Sequence, residues 1–541
     1  MVPRSITIHC LRCSSRPRDP HCPDAGIRPS VLAAAVTVLG IAWLLSESGQ
    51  TFAADANRGR VIYNLDCTQF FMGSFGSIAP ETIDKFVATH ASLGVTDLFV
   101  NVNAKRTNYR SDVWESYWDG YDPNASDDQP FFAGLDPKRR FETAKFIDMW
   151  SLHEKGCDYG KRMLAAARRN HVKGWISLRM NDDHNPGRPE HPAHSTFWRS
   201  HPEWRLSYGL NYERPEVREH YVKLIREVCS RYDLDGLELD FQRFWLYFPT
   251  GREHEGTKLM MGFMEQARAA TREAAKRLKH PVELAVRVPS TPWIARRHGL
   301  DAVAWGKAGL VDLIVAASFW FSSDTDIPIE TWKGLLIGQD VRVALGLGDA
   351  HNSGASGRRT MTHEEMRGAF VSGLYRGADA VYFFNLFTGP RENWPREDHD
   401  RLLTDVGSYA ALQAAPRRHA STMTHPWAAG EPGEDRSLPY TGTHGVFRLH
   451  IGPKPAPEQR TQVELVVPDH DEPLDVSVNA AACPWSGLVE PEHIKASGWQ
   501  ADEPRRHAYD VPAAALSDGY NLIEVRAEKP VKITWVEISV Q

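Results

Sequence analysis

The feature that most constrains this chain is the order of its elements. From residue 60 to about 410, strand-like runs alternate with helical runs eight times over. "RVIYNLDCTQFF" reads as a first strand, and "APETIDKFVATHASLG" follows with helical spacing and a closing glycine. "VTDLFVNVNAK" is the second strand. A long polar and aromatic insertion separates it from the helix "DYGKRMLAAARRNH" and the third strand, "VKGWISLRMNDD". The helix "RPEVREHYVKLIREVCSRY" leads into the fourth strand, "LDGLELDF", and a long helix spans roughly Glu255 to Leu278. "PVELAVRVP", "LVDLIVAASFWF", "VRVALGLGDA" and "ADAVYFFNLF" complete the strands, with helical runs between and after them. Eight strand–helix units in series predict an α/β fold, a parallel (β/α)8 TIM barrel over residues 57–415. The alternative, an open doubly wound sheet, would show fewer strands and often a Gly-rich first turn, which is absent.

Near Ala415 the pattern changes. Residues 416–440 are rich in Pro and Gly without periodicity and read as a linker. Residues 441–541 then hold short alternating runs such as "GVFRLHIG", "TQVELVVP" and "GYNLIEVRAE", the pattern of a small antiparallel β-sandwich.

Residues 1–56 read as a signal peptide or an N-terminal anchor. Five arginines precede the uncharged run Val31–Leu45, which is short for a membrane span and is followed by "ADA" at Ala54–Ala56. This predicts an extracytoplasmic protein, periplasmic or secreted, that meets a membrane only where the segment is uncleaved. The net charge of −6 gives no basic excess for nucleic acid. Beyond the leader, Cys67, Cys157, Cys229 and Cys483 are scattered; they leave room for one disulfide or for buried thiols, and suggest no zinc framework.

In such a barrel, functional side chains gather at the C-terminal strand ends. Alternation in the fourth strand turns Leu237, Leu239 and Phe241 toward the helices, and Glu238, Asp240 and Gln242 toward the axis. Asp240 and Gln242 then lie near the mouth, with Glu238 one layer deeper. Buried carboxylates are costly unless paired, hydrogen-bonded or used in chemistry. The other strand ends offer polar candidates at the same level: Asp66 with Asn64, Asn103 with Asn101, Arg179, Asp183, Arg287, Trp320 with Ser318, and Asn385, with Arg243 just past the fourth strand. Polar groups over an apolar lower barrel suit a polar ligand; a structural salt bridge of Glu238 with Arg179 or Arg287 is the competing reading.

Two acids near a cleft, in a chain with 17 tryptophans, point to glycoside cleavage. Glu238 and Asp240 are roughly 6.5 Å apart at Cα with one below the other, a poor flanking pair. A partner from another loop is preferable, and Asp324 or Asp326 after strand six supplies one; Asp349 follows strand seven. Loop aspartates also serve as turn or cap residues. "MNDDHNPGRPEHPAH" groups Asp182, Asp183, His184, His191 and His194, but Pro and Gly interrupt it, so a substrate-facing loop is favoured over a metal site. The aromatics Trp114, Tyr117, Trp118 and Tyr121 read equally as a sugar-binding wall or as a hydrophobic plug.

"DGLELDFQRF" in this setting resembles the bacterial family-10-like glycosyl hydrolases of secreted proteins. It is also similar to the chitinase-type "DGxDxDxE" signature: Asp235, Gly236 and Asp240 match, Glu238 stands for the middle Asp, and Gln242 stands where that family has its acid. "LDVSVNAAACP" and the run to the C-terminus resemble galactose-binding-like jelly-roll domains. Residues and resemblances together lead to the expectation of an exported glycoside hydrolase-like enzyme acting on a poly- or oligosaccharide, with no cofactor or metal expected. Asp240 would be nucleophile or base, Asp324 or Asp326 the acid, and Glu238 and Arg287 the electrostatic support. Asp66, Asn103, Arg179, Asp183, Gln242, Arg243, Arg287, Trp320 and Asn385 would face the sugar. The alternatives are a non-catalytic carbohydrate-binding protein, favoured by Gln242, and a metal-dependent hydrolase, favoured by the acid- and His-bearing loop.

Overall fold

The computed structural model describes residues 59–541 except 67–68, 72–76, 127, 137–139, 208, 245, 319–323, 353–357, 387–393, 422–437 and 492–503; of residues 69, 140, 141, 351, 352 and 358 it describes the backbone alone. The segment read as a signal peptide or anchor lies outside the described residues, as do Cys67 and Trp320. Among the described residues no helix is long and apolar enough to cross a membrane. Cys157, Cys229 and Cys483 are free thiols.

Eight parallel strands close into a barrel: β1 Val61–Leu65, β2 Asp97–Asn101, β3 Lys173–Arg179, β4 Gly236–Asp240, β5 Glu283–Pro289, β6 Leu313–Ala317, β7 Arg342–Gly348 and β8 Ala380–Phe384. Each strand pairs with its neighbours in sequence, and β8 returns to β1 with Val61 opposite Val381 and Asn64 opposite Phe384. Closure excludes the open doubly wound sheet. The surrounding helices include α1 Pro80–Ser92, α2 Arg140–Glu154, α3 Tyr159–Arg169, α4 Pro215–Arg231, α5 Glu253–Leu278, α6 His363–Tyr375 and α7 Arg396–Asp405. Their ends follow local chemistry. Pro80 and Glu81 suit the first turn of α1. Thr362 and Glu365 form a reciprocal capping box on α6.

Strand alternation sorts the barrel into two apolar layers. Leu237, Leu239 and Phe241 pack with Val217, Leu224 and Val228 of α4 in the outer layer. Ile62, Phe99, Trp175, Val315, Tyr382 and Phe384 pack inside the barrel. Gly236 leaves room for the Trp175 ring, which a Cβ there would strike.

The insertion after β2 is more ordered than its composition suggests, because it contains α2. Its aromatics form a plug. Trp114, Tyr117 and Trp118 are buried, with Trp114 stacked on His220 and Trp118 on His153, while Tyr121 packs on Trp150 and Phe132.

An all-β sandwich follows. Its strands are β9 Arg417–Ala420, β10 Tyr440–His450, β11 Thr461–Val466, β12 Asp475–Val478, β13 Ala481–Ala482, β14 Trp485–Val489, β15 Arg506–Asp510, β16 Tyr520–Ile533 and β17 Trp535–Val540. One sheet runs β9-β17-β11-β15-β14 and the other β10-β16-β12-β13. Phe447, Val463, Leu465, Ile523 and Ile538 lie in the apolar core of the sandwich. Strand β9 falls in the stretch read as a linker. It pairs antiparallel with β17, Arg417 opposite Val540 and Ala420 opposite Glu537, and so belongs to the sandwich sheet.

Candidate functional site

Inside the barrel the polar residues form two tiers. The lower tier centres on Glu238, fully buried on β4. Its carboxyl accepts hydrogen bonds from Asn64 Nδ2 at 3.0 Å, Ser177 Oγ at 2.6 Å and Tyr382 OH at 2.8 Å. Burial, followed by the neighbouring Asp240 charge, pushes this carboxyl up to about 8. The expected ion pair of Glu238 with an arginine is replaced by three neutral donors. Ser177 and Tyr382 were missed in the sequence, although both obey the period-two rule on their strands.

The upper tier is built on Asp240. Arg287 of β5 grips it with Nε at 2.9 Å and Nη2 at 3.1 Å, and the Gln242 N–H donates to its Oδ1 at 2.9 Å. The Arg287 guanidinium lies 3.7 Å over the Phe384 ring, and that of Arg243 lies 5.1 Å from the same ring. Arg179 of β3 donates to Asp182 at 3.0 Å and to Asp66, and Arg243 approaches Asp66 at 3.8 Å. Burial and the adjacent Arg179 charge pull Arg243 down to about 10. Asp66, Arg179, Asp240, Gln242, Arg243 and Arg287 thus form one cluster at the barrel mouth; alternation turns Asp240 and Gln242 there, whereas Arg243, on the opposite parity of β4, joins it because the chain has left the strand.

Two mouth residues hold acceptors in reserve. Gln242 fixes its amide by donating Nε2 to the Ala317 carbonyl at 2.8 Å, which leaves Oε1 buried without a donor among the described residues. Asn385, at the end of β8, adopts left-handed backbone (φ 54°), and its Oδ1 is likewise buried without a donor among the described residues. Such acceptors cost about 1–3 kcal/mol each until something donates to them.

Asn103 has a different role from the one expected. Its Oδ1 accepts the Arg179 N–H at 3.0 Å and its Nδ2 donates to the Arg179 carbonyl at 3.1 Å, so it braces β2 on β3. Asp183 sits beyond β3, and burial, opposed by Lys105, pushes its carboxyl up to about 6. Lys105 is a site residue that sequence reasoning missed. It is buried in the insertion, donates Nζ to the His184 carbonyl at 2.5 Å and lies 5.0 Å from the Trp198 ring. Burial pulls its ammonium down to about 8, against the charges of Asp182 and Asp183.

The acid- and histidine-bearing loop is spent on separate contacts. His184 Nδ1 pairs with Asp182, His194 Nε2 meets the Asn185 carbonyl at 2.9 Å and stacks on Trp198, and His191 faces Glu142 at 3.8 Å. Among the described residues no group of three His, Cys, Asp or Glu side chains converges as metal ligands.

The loop acids after β6 divide. Asp324 is half-buried, and burial and then the Asp326 charge raise its carboxyl above its ordinary value. Asp326 is committed elsewhere. It accepts from Arg376 at 2.6 Å, the Tyr520 hydroxyl at 2.9 Å and Arg448 at 3.3 Å. A carboxylate shared by two guanidiniums and a phenol is a structural tie, which corrects its reading as a proton donor. Asp349, after β7, is buried and lends its backbone carbonyl to Met361.

No family model matches the chain, and no curated protein matches it. Among solved structures, a noncanonic maltogenic alpha-amylase from Thermotoga neapolitana is similar at 12% identity and a TM-score of 0.36, over 87% of this chain and 99% of that one. The glycoside hydrolase domain of PgaB (BpsB) from Bordetella bronchiseptica is similar at 12% identity and a TM-score of 0.38, over 65% of this chain and 99% of that one. A GH36 alpha-galactosidase from Geobacillus stearothermophilus is similar at 11% identity and a TM-score of 0.37, over 87% of this chain and 56% of that one. These structural neighbours are glycoside hydrolases by description. At such identities and scores the likeness carries no argument about what this chain does.

Proposed function

We propose that this chain is an exported glycoside hydrolase-like enzyme that acts on a poly- or oligosaccharide at the C-terminal mouth of its barrel. The observation that carries this reading is the upper tier itself: an arginine-gripped Asp240, and two buried acceptors, Gln242 Oε1 past the end of β4 and Asn385 Oδ1 past the end of β8, that lack donors among the described residues. A sugar is dense in hydroxyl donors and supplies what those acceptors need. Asp240 acts as nucleophile or base. The proton donor is Asp324, whose carboxyl burial displaces toward its neutral form. Asp183, whose carboxyl burial pushes up to about 6, contacts the sugar. Glu238 supports Asp240 from below and does not touch the sugar.

The test is hydrolysis of a glycan panel by the wild type and by Asp240→Asn and Asp324→Asn. The reading predicts cleavage of at least one glycan, reduced by about 10²–10⁴-fold in each variant. Cleavage undiminished in Asp240→Asn contradicts the assignment. A second reading, a carbohydrate-binding protein without turnover, is favoured by one observation. Gln242, at the position where the chitinase-type signature has its acid, holds an amide locked on Ala317. Binding without cleavage in the same panel selects it.

A further inference from the structure

The tie on Asp326 has both ends in named elements. Arg376 follows α6 of the barrel, while Arg448 belongs to β10 and Tyr520 to β16 of the sandwich. Arg376 also grips Glu330 with Nε at 2.7 Å and Nη2 at 2.8 Å, and donates to the Tyr520 hydroxyl. The Arg448 guanidinium lies 4.3 Å and that of Arg376 5.2 Å from the Tyr520 ring. One residue earlier, Thr325 Oγ1 donates to the carbonyl of Ala420 in β9. Three strands of the sandwich therefore hold Thr325 and Asp326. The contact continues inward, because the Asp326 backbone N–H donates to Asp324 Oδ1 at 2.9 Å. A side chain at the sandwich surface is thus two hydrogen bonds from the candidate proton donor of the barrel.

We propose that the β-sandwich is a positioning element for the barrel's site, with Tyr520 and Arg448 as the positioning residues, Asp326 as the handle and the Asp324 carboxyl as what is positioned. Its claim about turnover rests on the glycosidase reading, whereas its claim about the Asp324–Asp326 segment stands apart from it. The sandwich then acts on the reaction without touching sugar. An exposed ion pair adds little by itself. This one is reinforced, because the carboxylate has three donors and one guanidinium, Arg376, is buried.

The test uses the full chain with three variants: Tyr520→Phe/Arg448→Met, which removes the sandwich's donors and keeps side-chain bulk; Asp326→Asn; and Arg448→Lys as the conservative change. Amide exchange at Asp326 reports the hydrogen bond to Asp324 directly, and steady-state kinetics on the cleaved glycan report the acid. In the double variant, exchange at Asp326 is expected to rise about tenfold and kcat to fall about tenfold with KM within about twofold, while Arg448→Lys stays near wild type. Exchange and kcat both within about twofold of wild type in the double variant overturn the proposal, and so does faster exchange with kcat unchanged. Where melting shows the double variant unfolded, Asp326→Asn decides by the same two readouts. If the wild type cleaves no glycan, the glycosidase reading fails alone, and the exchange measurement still decides whether the sandwich holds the segment.

Discussion

Two regions of this molecule bury clusters of charge, and they do so differently. On the outer face of the five-stranded sheet, Glu464 and Glu537 meet Arg418 and Arg506. Trp535 Nε1 donates to Glu537 Oε2 at 2.8 Å, and Arg418 reaches back to Glu364 of α6 at 2.7 Å. Burial works against the Arg418 charge, yet Glu537, Glu464 and Glu364 hold it above its ordinary value. Each of these glutamates faces an arginine, and the cluster fastens the sheet to the barrel. At the barrel mouth the balance is incomplete. Glu238 is bonded by neutral donors, and its carboxyl is pushed up to about 8. Gln242 and Asn385 keep buried acceptors without donors among the described residues. The first cluster is a charge-matched fastening, in which Arg506 keeps Nε and Nη2 buried without an acceptor among the described residues. The second, on the reading proposed above, is a surface prepared for a partner that brings its own hydrogen bonds.

The largest expected effect breaks the sheet-face cluster. Arg506→Met removes one of the two cations between Glu464 and Glu537, and urea unfolding should show a loss of about 3–5 kcal/mol. A loss under about 1 kcal/mol would place the sheet-face cluster among interactions that hold little. A smaller effect is expected at Glu238, and its sign follows from the direction of the shift. Unfolded, the carboxyl titrates near its ordinary value of 4.5; folded, near 8. The folded state therefore holds the extra proton between these values, and its contribution to stability falls as pH rises through that window. Glu238→Gln cannot ionise, so its melting temperature relative to wild type should climb by on the order of a few °C from pH 5 to pH 8.5. A difference that stays flat would show that Glu238 is charged in the fold. The smallest effect on stability is expected at Asn385. Glycine accepts its left-handed backbone, and Asn385→Gly removes an acceptor that has no donor, so unfolding should change by less than about 1 kcal/mol. Sugar affinity should nonetheless weaken about tenfold, because the hydroxyl that Oδ1 would accept from loses its partner. The contrast between intact stability and weakened binding is what distinguishes a prepared site from a fastening.

The sequence showed the barrel because strand runs of period two and helix runs of period 3.6 keep alternating on both sides of the one long insertion after β2. It concealed α2 because the buried side of that helix carries Glu142, Asp148 and Ser151, so no apolar stripe marks it. Strand β9 was hidden for the same kind of reason: Arg417, Arg418 and His419 are buried, and the ion pairs that make Arg418 tolerable come from residues 46 to 119 positions away. At the site, period two was enough to group Glu238, Asp240 and Arg287. It could not reveal that Asp326 is claimed by Arg376, Arg448 and Tyr520, which lie 50, 122 and 194 positions further on. Nor could it show that Lys105, inside an irregular insertion, is buried against Trp198. Alternation reports which way a side chain points; what it meets there depends on chain separations that no local pattern encodes.

The most direct measurement is a crystal structure with the oligosaccharide selected by the glycan panel. The account predicts a sugar ring over the ends of β4 and β8, with hydroxyls within about 3.2 Å of Gln242 Oε1 and Asn385 Oδ1 and a ring carbon facing Asp240. A sugar bound only on the sandwich, with the barrel mouth filled by water, would contradict it.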